Sequence, residues 1–313
     1  MVASVLGVIV GLAILTYAAD HFVIGAARIS ARLQISPIVV GAIVIGFGTS
    51  APEMVVSGLA AASGSIDLAA GNIVGSSIAN LTLVLGIAAL ITPIAVRSPV
   101  LKREAPLALV ATVAFAWVAQ SSATIVEGVL LAGLLAAAVT LIVVASRRGD
   151  PVLSEQVDEF LPTEQPALPR ETLRTIVGLL AVLGAAQLLV VNATSIAEQL
   201  GLAEGFIGMT VVAVGTSLPE LATAVQAARR RETDLLVGNL LGSNLFNAAA
   251  VGAITVFLGS GQQIDSTIAQ TGSILMITIT VLVVGFMITG RRLVRWEAIV
   301  LLLAYLATLP LIA

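Results

Sequence analysis

Long runs of apolar residues, separated by short polar stretches, dominate the chain from one end to the other. A helix needs about 17 to 25 mostly apolar residues to cross the hydrocarbon core of a bilayer. Runs of that length predict ten membrane-spanning helices. These spans are residues 2–24, 36–60, 68–91, 104–121, 123–146, 173–194, 205–228, 235–258, 267–290 and 296–312. The predicted fold is therefore all-α, a polytopic protein embedded in a lipid bilayer.

The composition supports this prediction and excludes several classes of function. Hydrophobic residues make up 58% of the 313 residues, charged residues make up 11%, and the mean hydropathy is +1.08. These values lie outside the range of soluble globular domains. Because the chain has no cysteine and a single histidine, His21, thiolate metal sites and cysteine nucleophiles are excluded. The net charge of −3 and the lack of a basic patch predict no nucleic-acid partner.

One connection is much longer than the others and divides the chain into two halves. Residues 147–172 contain several prolines and carboxylates, so they predict a solvated linker. All fifteen basic residues fall in connections on the same side of the ten-span arrangement as this linker. Since basic residues concentrate in cytoplasmic loops, the linker is expected in the cytoplasm and both termini outside the cell. The expected location is the cell (plasma) membrane.

A polar motif in the second predicted span recurs in the seventh. GTSAPE ends at Glu53 and GTSLPE ends at Glu220, which is an offset of 167 residues. Across residues 46–80, fourteen of 35 positions are identical at this offset, and many of them are glycine or polar. This duplication predicts two five-helix repeats, residues 1–146 and 173–313. Because five is an odd number, the repeats must be inverted, which is the architecture of secondary transporters that work by alternating access.

The repeated motif combines a helix break with a carboxylate at membrane depth. Pro52 and Pro219 each remove a helical hydrogen bond, and freed carbonyls at that depth survive only where they line a cavity or bind an ion. No Arg or Lys lies at a depth comparable with Glu53 or Glu220, so a cation is expected as the missing counterion. Carboxylates, carbonyls and hydroxyls form an all-oxygen site that suits Ca²⁺ or Na⁺ better than Mg²⁺.

A second repeated motif supplies more polar groups in the third and eighth spans. In each copy these groups are spaced by four residues, so they share one helix face. The residues are Asn72, Ser76 and Asn80 in the first copy and Asn239, Ser243 and Asn247 in the second. Gly71 and Gly75 predict a close approach by a neighbouring helix.

With both motifs in this order, the chain resembles the calcium/cation antiporter superfamily, whose two repeats carry G-T-S-x-P-E followed by G-N-x-x-G-S-N-x-x-N/D. The resemblance covers essentially the whole chain. The proton/calcium branch typically has Glu where this chain has Gly75 and Gly242, so the chain is more similar to the prokaryotic sodium/calcium exchangers. Departures from the pattern are Ser77 in place of Asn, Ala79 in place of Phe, and Asn247, which is Asp in some relatives.

This resemblance implies a set of ion ligands. Ca²⁺ would bind the carboxylates of Glu53 and Glu220 and the backbone oxygens of Thr49 and Thr216. Na⁺ would use four hydroxyls, two carbonyls and a central position, namely Ser50, Ser76, Ser217 and Ser243, the carbonyls of Gly46 and Ala213, and the region of Asn80 and Asn247. The transported ions are then Ca²⁺ and Na⁺, with no cofactor, and the expected functional unit is a monomer.

Other functions use the same residues differently. An H⁺/Ca²⁺ antiporter, or another monovalent/divalent exchanger, would protonate the two Glu in place of binding sodium. An intramembrane enzyme would need neighbouring acids on unbroken spans and no inverted duplication, so no enzyme activity is expected. A channel is disfavoured because acidic residues at broken helices bind cations more than they conduct them. For Asp20 and His21, a packing role and an accessory ion or proton role both remain open, as does the exchange stoichiometry.

Overall fold

The computed structural model describes residues 1–32, 50–96, 98–121, 123–146, 167–231 and 233–312, and they are almost entirely helical. The first half contains α1 (Val2–Arg32), α2 (Ala51–Ala62), α3 (Ile66–Ala79), α4 (Leu85–Ile91), α5 (Ser98–Val118) and α6 (Ile125–Ser146). The second half contains α7 (Leu168–Leu200), α8 (Glu204–Ile207), α9 (Ala213–Thr216), α10 (Leu218–Arg230), α11 (Thr233–Phe246), α12 (Gly252–Leu258), α13 (Ser273–Gly290) and α14 (Arg295–Ile312).

Short π-helical turns join several of these helices into longer segments. Asn80–Val84 connects α3 to α4, and Asn247–Val251 connects α11 to α12. Gly208–Val212 joins α8 to α9, and Thr267–Gly272 leads into α13. Single π turns within α-helices occur frequently at functional sites. Two of these turns begin at the asparagine that ends the second repeated motif, so the repeat extends to the backbone conformation.

Six helical segments in the described part of the chain are long and apolar enough to cross a membrane. They are Ile66–Ile91, Ile125–Ile142, Leu168–Leu200, Leu236–Leu258, Thr267–Gly290 and Arg295–Ile312. The pair Glu204–Thr216 and Leu218–Arg229, bent by 41°, gives a seventh if it is counted as one span. These segments correspond in position to the last five predicted spans and to the third and fifth.

The other three predicted spans have features that explain why they are not among these segments. In the second, residues 33–49 lie outside the described residues, and only the short apolar helix Ala51–Ala62 follows them. In the first, the described side chains include the shorter apolar segment Val2–Ala18 within α1. The fourth corresponds to α5, which carries Lys102, Arg103 and Glu104 in its first two turns. The full set of ten spans stays a prediction.

Two features tie the halves of the chain together. Helices α1 and α7 run antiparallel along their length, since Gly7 contacts Asn192 near one end and Gly25 contacts Thr175 near the other. A two-stranded antiparallel sheet pairs β1 (Ile94–Ala95) with β2 (Arg292–Leu293), a small exception to the all-α prediction. The buried core between the helices is rich in alanine, which allows close helix packing.

Candidate cation-binding site

Both copies of the G-T-S-x-P-E motif place the start of a helix at the same position of the motif. Ser50 precedes α2 with φ −88° and ψ 6°, and Ser217 precedes α10 with φ −85° and ψ 8°. In both helices a proline lies in the first turn, where its missing N–H is tolerated. Glu53 and Glu220 also lie in these first turns, where the unpaired N–H groups of the helix end favour a negative charge. The start of each helix therefore fixes the position of its carboxylate.

Both carboxylates are completely buried. Glu53 and Glu220 have no solvent exposure. Ser217 donates a hydrogen bond of 3.4 Å to Oε1 of Glu53, while Ser243 donates one of 3.4 Å to Oε1 of Glu220. Within the described residues, Oε2 of Glu53 accepts no hydrogen bond. A buried carboxylate is stable only when it is protonated or paired with a cation.

Neutral oxygens collect beside the second break. The carbonyl oxygen of Ala213 accepts hydrogen bonds from the hydroxyls of Ser76 at 3.4 Å and Thr216 at 3.3 Å, and from the backbone N–H of Ser217 at 3.1 Å. The hydroxyls of Ser76 and Thr216 are 3.4 Å apart. The structure thus brings Thr216 and Ser217 of the second G-T-S-x-P-E motif, together with the nearby Ala213, next to Ser76 of the first half.

Asn72 connects this group of oxygens to helix α2. Its Oδ1 accepts hydrogen bonds from Thr216 at 3.1 Å and from Ser76 at 3.4 Å. Its Nδ2 donates to Oγ of Ser57 at 2.9 Å, and Ser57 in turn donates to the carbonyl of Ala69 at 3.3 Å. Because Ser57 engages the amide nitrogen, the amide oxygen faces the site. Ser57 is a site residue that the repeat could not reveal, since Ala224 occupies the equivalent position.

A second polar group lies where the two π-helical turns begin. Nδ2 of Asn80 donates to Oδ1 of Asn244 at 3.2 Å, and Nδ2 of Asn244 donates to the carbonyl of Ser77 at 3.0 Å. Asn80 and Asn247 are fully buried. Among the described residues, neither polar side-chain atom of Asn247 has a hydrogen-bond partner, and the same is true of Oδ1 of Asn80. Buried amide groups without partners are costly unless a ligand or water engages them.

The structure also locates the remaining predicted site residues. Ser50 is fully buried immediately before α2, and its hydroxyl has no partner among the described residues. Asn239 is nearly buried and its Nδ2 donates to Thr223 at 3.4 Å. Gly46 and Thr49 lie outside the described residues. No group of three His, Cys, Asp or Glu side chains occurs in the part of the chain that the structure describes, so the carboxylates are supplemented by neutral oxygens.

Close packing holds α3 against the segment that leads to the second break. A Cβ atom at Gly71 would lie 2.5 Å from the carbonyl oxygen of Gly205, and one at Gly75 would lie 2.3 Å from the carbonyl oxygen of Met209. The predicted close approach at these glycines is confirmed. Since neither position can hold a larger residue without moving the backbone, the packing fixes Asn72 and Ser76 relative to Ala213 and Thr216.

Buried carboxylates among apolar helices of membrane-spanning length are typical of membrane transporters of cations. The family described as sodium/calcium exchanger protein matches residues 3–144 and 171–312. The chain belongs to this family.

Similar proteins and a similar solved structure agree with this assignment. The chain is 38% identical over 313 aligned residues to the putative antiporter CaxA of Alkalimonas amylolytica, covering 98% of this chain and 97% of that protein. It is 37% identical to the inner membrane protein YrbG of Escherichia coli (strain K12), covering 81% and 79% of the two chains. Among solved structures it is similar to the sodium-calcium exchanger NCX_Mj soaked with Na⁺ and Sr²⁺, with a TM-score of 0.67, 28% identity, and coverage of 99% and 98%.

Proposed function

We propose that the protein exchanges Na⁺ for Ca²⁺ across the membrane by alternating access. The observation that carries this proposal is the pair of fully buried carboxylates, Glu53 and Glu220, each in the first turn of a helix. Two negative charges are balanced by one Ca²⁺ or by two Na⁺. Because one Ca²⁺ or two Na⁺ would neutralise the same site, binding of one kind of ion displaces the other. Alternating access then exchanges the two ions across the membrane.

In the proposed calcium-bound state, Glu53 and Glu220 supply the charged ligands and the backbone oxygens of Thr49 and Thr216 supply neutral ones. Ca²⁺ accepts six to eight oxygen ligands in flexible geometry, which fits ligands drawn from two helix breaks. The serine hydroxyls that now touch the carboxylates donate weakly at 3.4 Å, so a divalent cation can displace them. The protein acts as a carrier in this proposal and performs no chemical reaction.

The proposed sodium ligands are the serine hydroxyls and the carbonyls at the breaks. Ser76 with the carbonyl of Ala213 forms one position, supported by their 3.4 Å contact and by the nearby Thr216 hydroxyl. The repeat assigns Ser243 with the carbonyl of Gly46 to the equivalent position in the other half. Ser50 and Ser217 complete the two positions, and Asn80 with Asn247 forms a central one.

The proposed topology has ten spans in two inverted repeats, residues 1–146 and 173–313, joined by a cytoplasmic linker at 147–172. Both termini are extracellular, the membrane is the cell membrane, and a monomer is the transporting unit. Two observations support the duplication. The family match falls into two blocks of similar extent, and both copies of the second motif run from an α-helix into a π-helical turn at the same asparagine.

Packing at Gly75 argues against an acidic residue at this one position. In the proton/calcium branch of the superfamily this position typically holds Glu, but here even a Cβ atom would lie 2.3 Å from the carbonyl oxygen of Met209. A third carboxylate therefore has no room at Gly75. Proton exchange through Glu53 and Glu220 alone is the alternative that the experiment below tests.

The experiment is ⁴⁵Ca²⁺ uptake into proteoliposomes containing the purified full-length protein. Vesicles loaded with Na⁺ and diluted into Na⁺-free buffer are compared with vesicles carrying an outward proton gradient and no Na⁺. We expect uptake only with the Na⁺ gradient. Uptake driven by the proton gradient alone would show that protons, and not Na⁺, are the coupling ion. Uptake without either gradient, or no uptake under any condition, would contradict antiport.

A matched variant controls for the loss of a buried carboxylate as such. Glu297 is nearly buried at the start of α14, where its Oε2 accepts a hydrogen bond of 2.8 Å from the backbone N–H of Val294. Since a glutamine oxygen can accept the same bond, Glu297→Gln should retain Na⁺-driven uptake. Loss of uptake in this variant would mean that any buried glutamate is required, and the assignment to Glu53 and Glu220 would lose its support.

A further inference from the structure

A groove of about 360 Å³ opens between α1 and α7, away from the cation site. Helix α1 contributes Tyr17 and His21 to its walls, and α7 contributes Arg170, Leu173, Arg174 and Val177. The floor is closed by tight helix contact, because a Cβ atom at Gly178 would lie only 2.9 Å from the Cα atom of Phe22. The groove is therefore a cleft on the outer surface of the helix pair.

One end of the groove is basic. Glu171, which is almost completely buried, accepts hydrogen bonds from Arg28 at 3.1 Å and from Arg174 at 3.5 Å. Arg170 is exposed at the same end. Among the described residues at this end of the groove, three arginines outnumber one glutamate, so positive charge is in excess there. The ion pairs with Glu171 also hold Arg28 and Arg174 in place.

The remainder of the groove is apolar and open to the surroundings. Leu173 and Val177 are 63% and 55% exposed, and Tyr17 on the opposite wall is 67% exposed. From Arg170 to Ala181 the lining of α7 extends about 16 Å along the helix axis at 1.5 Å per residue. A cationic end followed by an apolar strip of this length matches a molecule with an anionic head and a hydrocarbon tail.

We propose that this groove binds an anionic phospholipid of the cytoplasmic leaflet. Its phosphate is held by Arg170 and Arg174, and an acyl chain lies along Leu173 and Val177. Basic pockets between helices at the cytoplasmic surface are suited to anionic head groups, whereas free phosphate would gain nothing from the apolar strip. The assignment to this leaflet rests on the proposed topology, but it does not depend on which cations are transported.

The test uses fluorescence of the full-length protein in nanodiscs. The two native tryptophans are removed by Trp117→Phe and Trp296→Phe, and Leu180→Trp places a reporter on the lipid-exposed face of α7 beside the groove. Quenching by brominated phosphatidylglycerol is compared with quenching by brominated phosphatidylcholine. We expect the reporter to prefer the anionic lipid by roughly tenfold, given the typical effect of two arginines near a membrane surface.

Three controls make the result specific. Arg170→Gln with Arg174→Gln should reduce the preference to within about twofold, whereas Arg291→Gln with Arg292→Gln removes the same charge elsewhere on the same side and should not. An Ile299→Trp reporter on α14 should show no dependence on Arg170 and Arg174. Inorganic phosphate in the buffer should not compete.

The proposal fails if the α7 reporter shows no preference for phosphatidylglycerol, or if the preference survives the Arg170 and Arg174 substitutions. An equal loss in the Arg291 and Arg292 variant would indicate general attraction to the basic surface, and competition by inorganic phosphate would indicate a phosphate site without a lipid. Because the measurement needs no ion gradient, its failure is distinct from a failure of Na⁺-driven Ca²⁺ uptake.

Discussion

The hydroxyl of Ser217 lies 3.4 Å from Oε1 of Glu53, so the second copy of the motif provides a hydrogen bond to the carboxylate of the first. The equivalent hydroxyl, that of Ser50, has no hydrogen-bond partner among the described residues. Glu220 accepts a bond from Ser243 in its own half. The hydrogen bond from Ser217 to Glu53 thus crosses between the two halves of the chain, whereas the bond from Ser243 to Glu220 lies within one half.

Neutralising either carboxylate should abolish exchange without unfolding the protein. We expect Glu53→Gln and Glu220→Gln each to reduce Na⁺-driven ⁴⁵Ca²⁺ uptake at least about 100-fold, because a neutral amide cannot balance a divalent cation. Their thermal unfolding without Ca²⁺ should occur at a temperature no lower than that of the parent protein, since a neutral amide is less costly to bury than a carboxylate. The stabilisation by Ca²⁺ should disappear in both.

Glu297→Gln is the matched control for these two variants, and it should keep both the uptake and the Ca²⁺-dependent shift in melting temperature. If either Glu53→Gln or Glu220→Gln retained exchange near the parent rate, that residue would not be an ion ligand.

Ser57 should act as a positioning residue through Asn72. Removal of its hydroxyl by Ser57→Ala frees the amide nitrogen of Asn72, so the amide can rotate and its oxygen can leave Thr216 and Ser76. We expect the apparent Na⁺ affinity, measured by Na⁺ inhibition of Ca²⁺ uptake, to fall about 10-fold. Ser57→Thr keeps the hydroxyl and should restore affinity relative to Ser57→Ala, a rescue that a packing defect would not show.

Contact between α3 and the second break should make Gly75 intolerant of substitution. In Gly75→Ala the new Cβ atom would lie 2.3 Å from the carbonyl oxygen of Met209, so the helices must separate, at a cost of about 1–3 kcal/mol. Gly133→Ala in α6 is the control, because no heavy atom of the described neighbours lies within 4 Å of its added Cβ atom. Thermal unfolding in detergent should show a lower melting temperature for Gly75→Ala alone. Equal melting temperatures would contradict the packing argument.

An acid at Asn247 should change the number of monovalent ions exchanged per Ca²⁺. Asn247 is fully buried, and neither of its polar side-chain atoms has a partner among the described residues. Asn247→Asp adds a third negative charge, which must be balanced by another Na⁺ or by a proton. We expect the Hill coefficient for Na⁺ inhibition of uptake to rise by about one, or uptake to become dependent on pH in a range where the parent is insensitive. Unchanged behaviour in both respects would place this residue outside the ion path.

The sequence predicts the main features of the site because the repeat marks them twice. Glycine, proline and glutamate at a fixed offset are informative in a chain where most apolar residues are interchangeable, so Glu53 and Glu220 are conspicuous in the sequence itself. The close helix approach at Gly71 and Gly75 follows from the same repeat. Span positions are predicted well where the runs are uniformly apolar, as for residues 267–290, which match Thr267–Gly290.

What the sequence could not predict depends on contacts between distant segments. Ser57 has no polar counterpart at Ala224, so nothing in the repeat distinguishes it from other small residues of the same helix. The start of α7 at Leu168, before the predicted span at residue 173, reflects Pro169 at a helix start and the buried ion pairs of Glu171. An apolar pattern alone does not report either feature.

The π-helical turns at Asn80 and Asn247 also bear on the history of the gene. A π turn holds one more residue than an α-helical turn, and both turns begin at the same position of the repeated motif. Under the proposed duplication, a single inserted residue in a half-length ancestral gene would account for both turns. Selection for this local backbone geometry would then have kept the extra residue in each half while most neighbouring positions diverged.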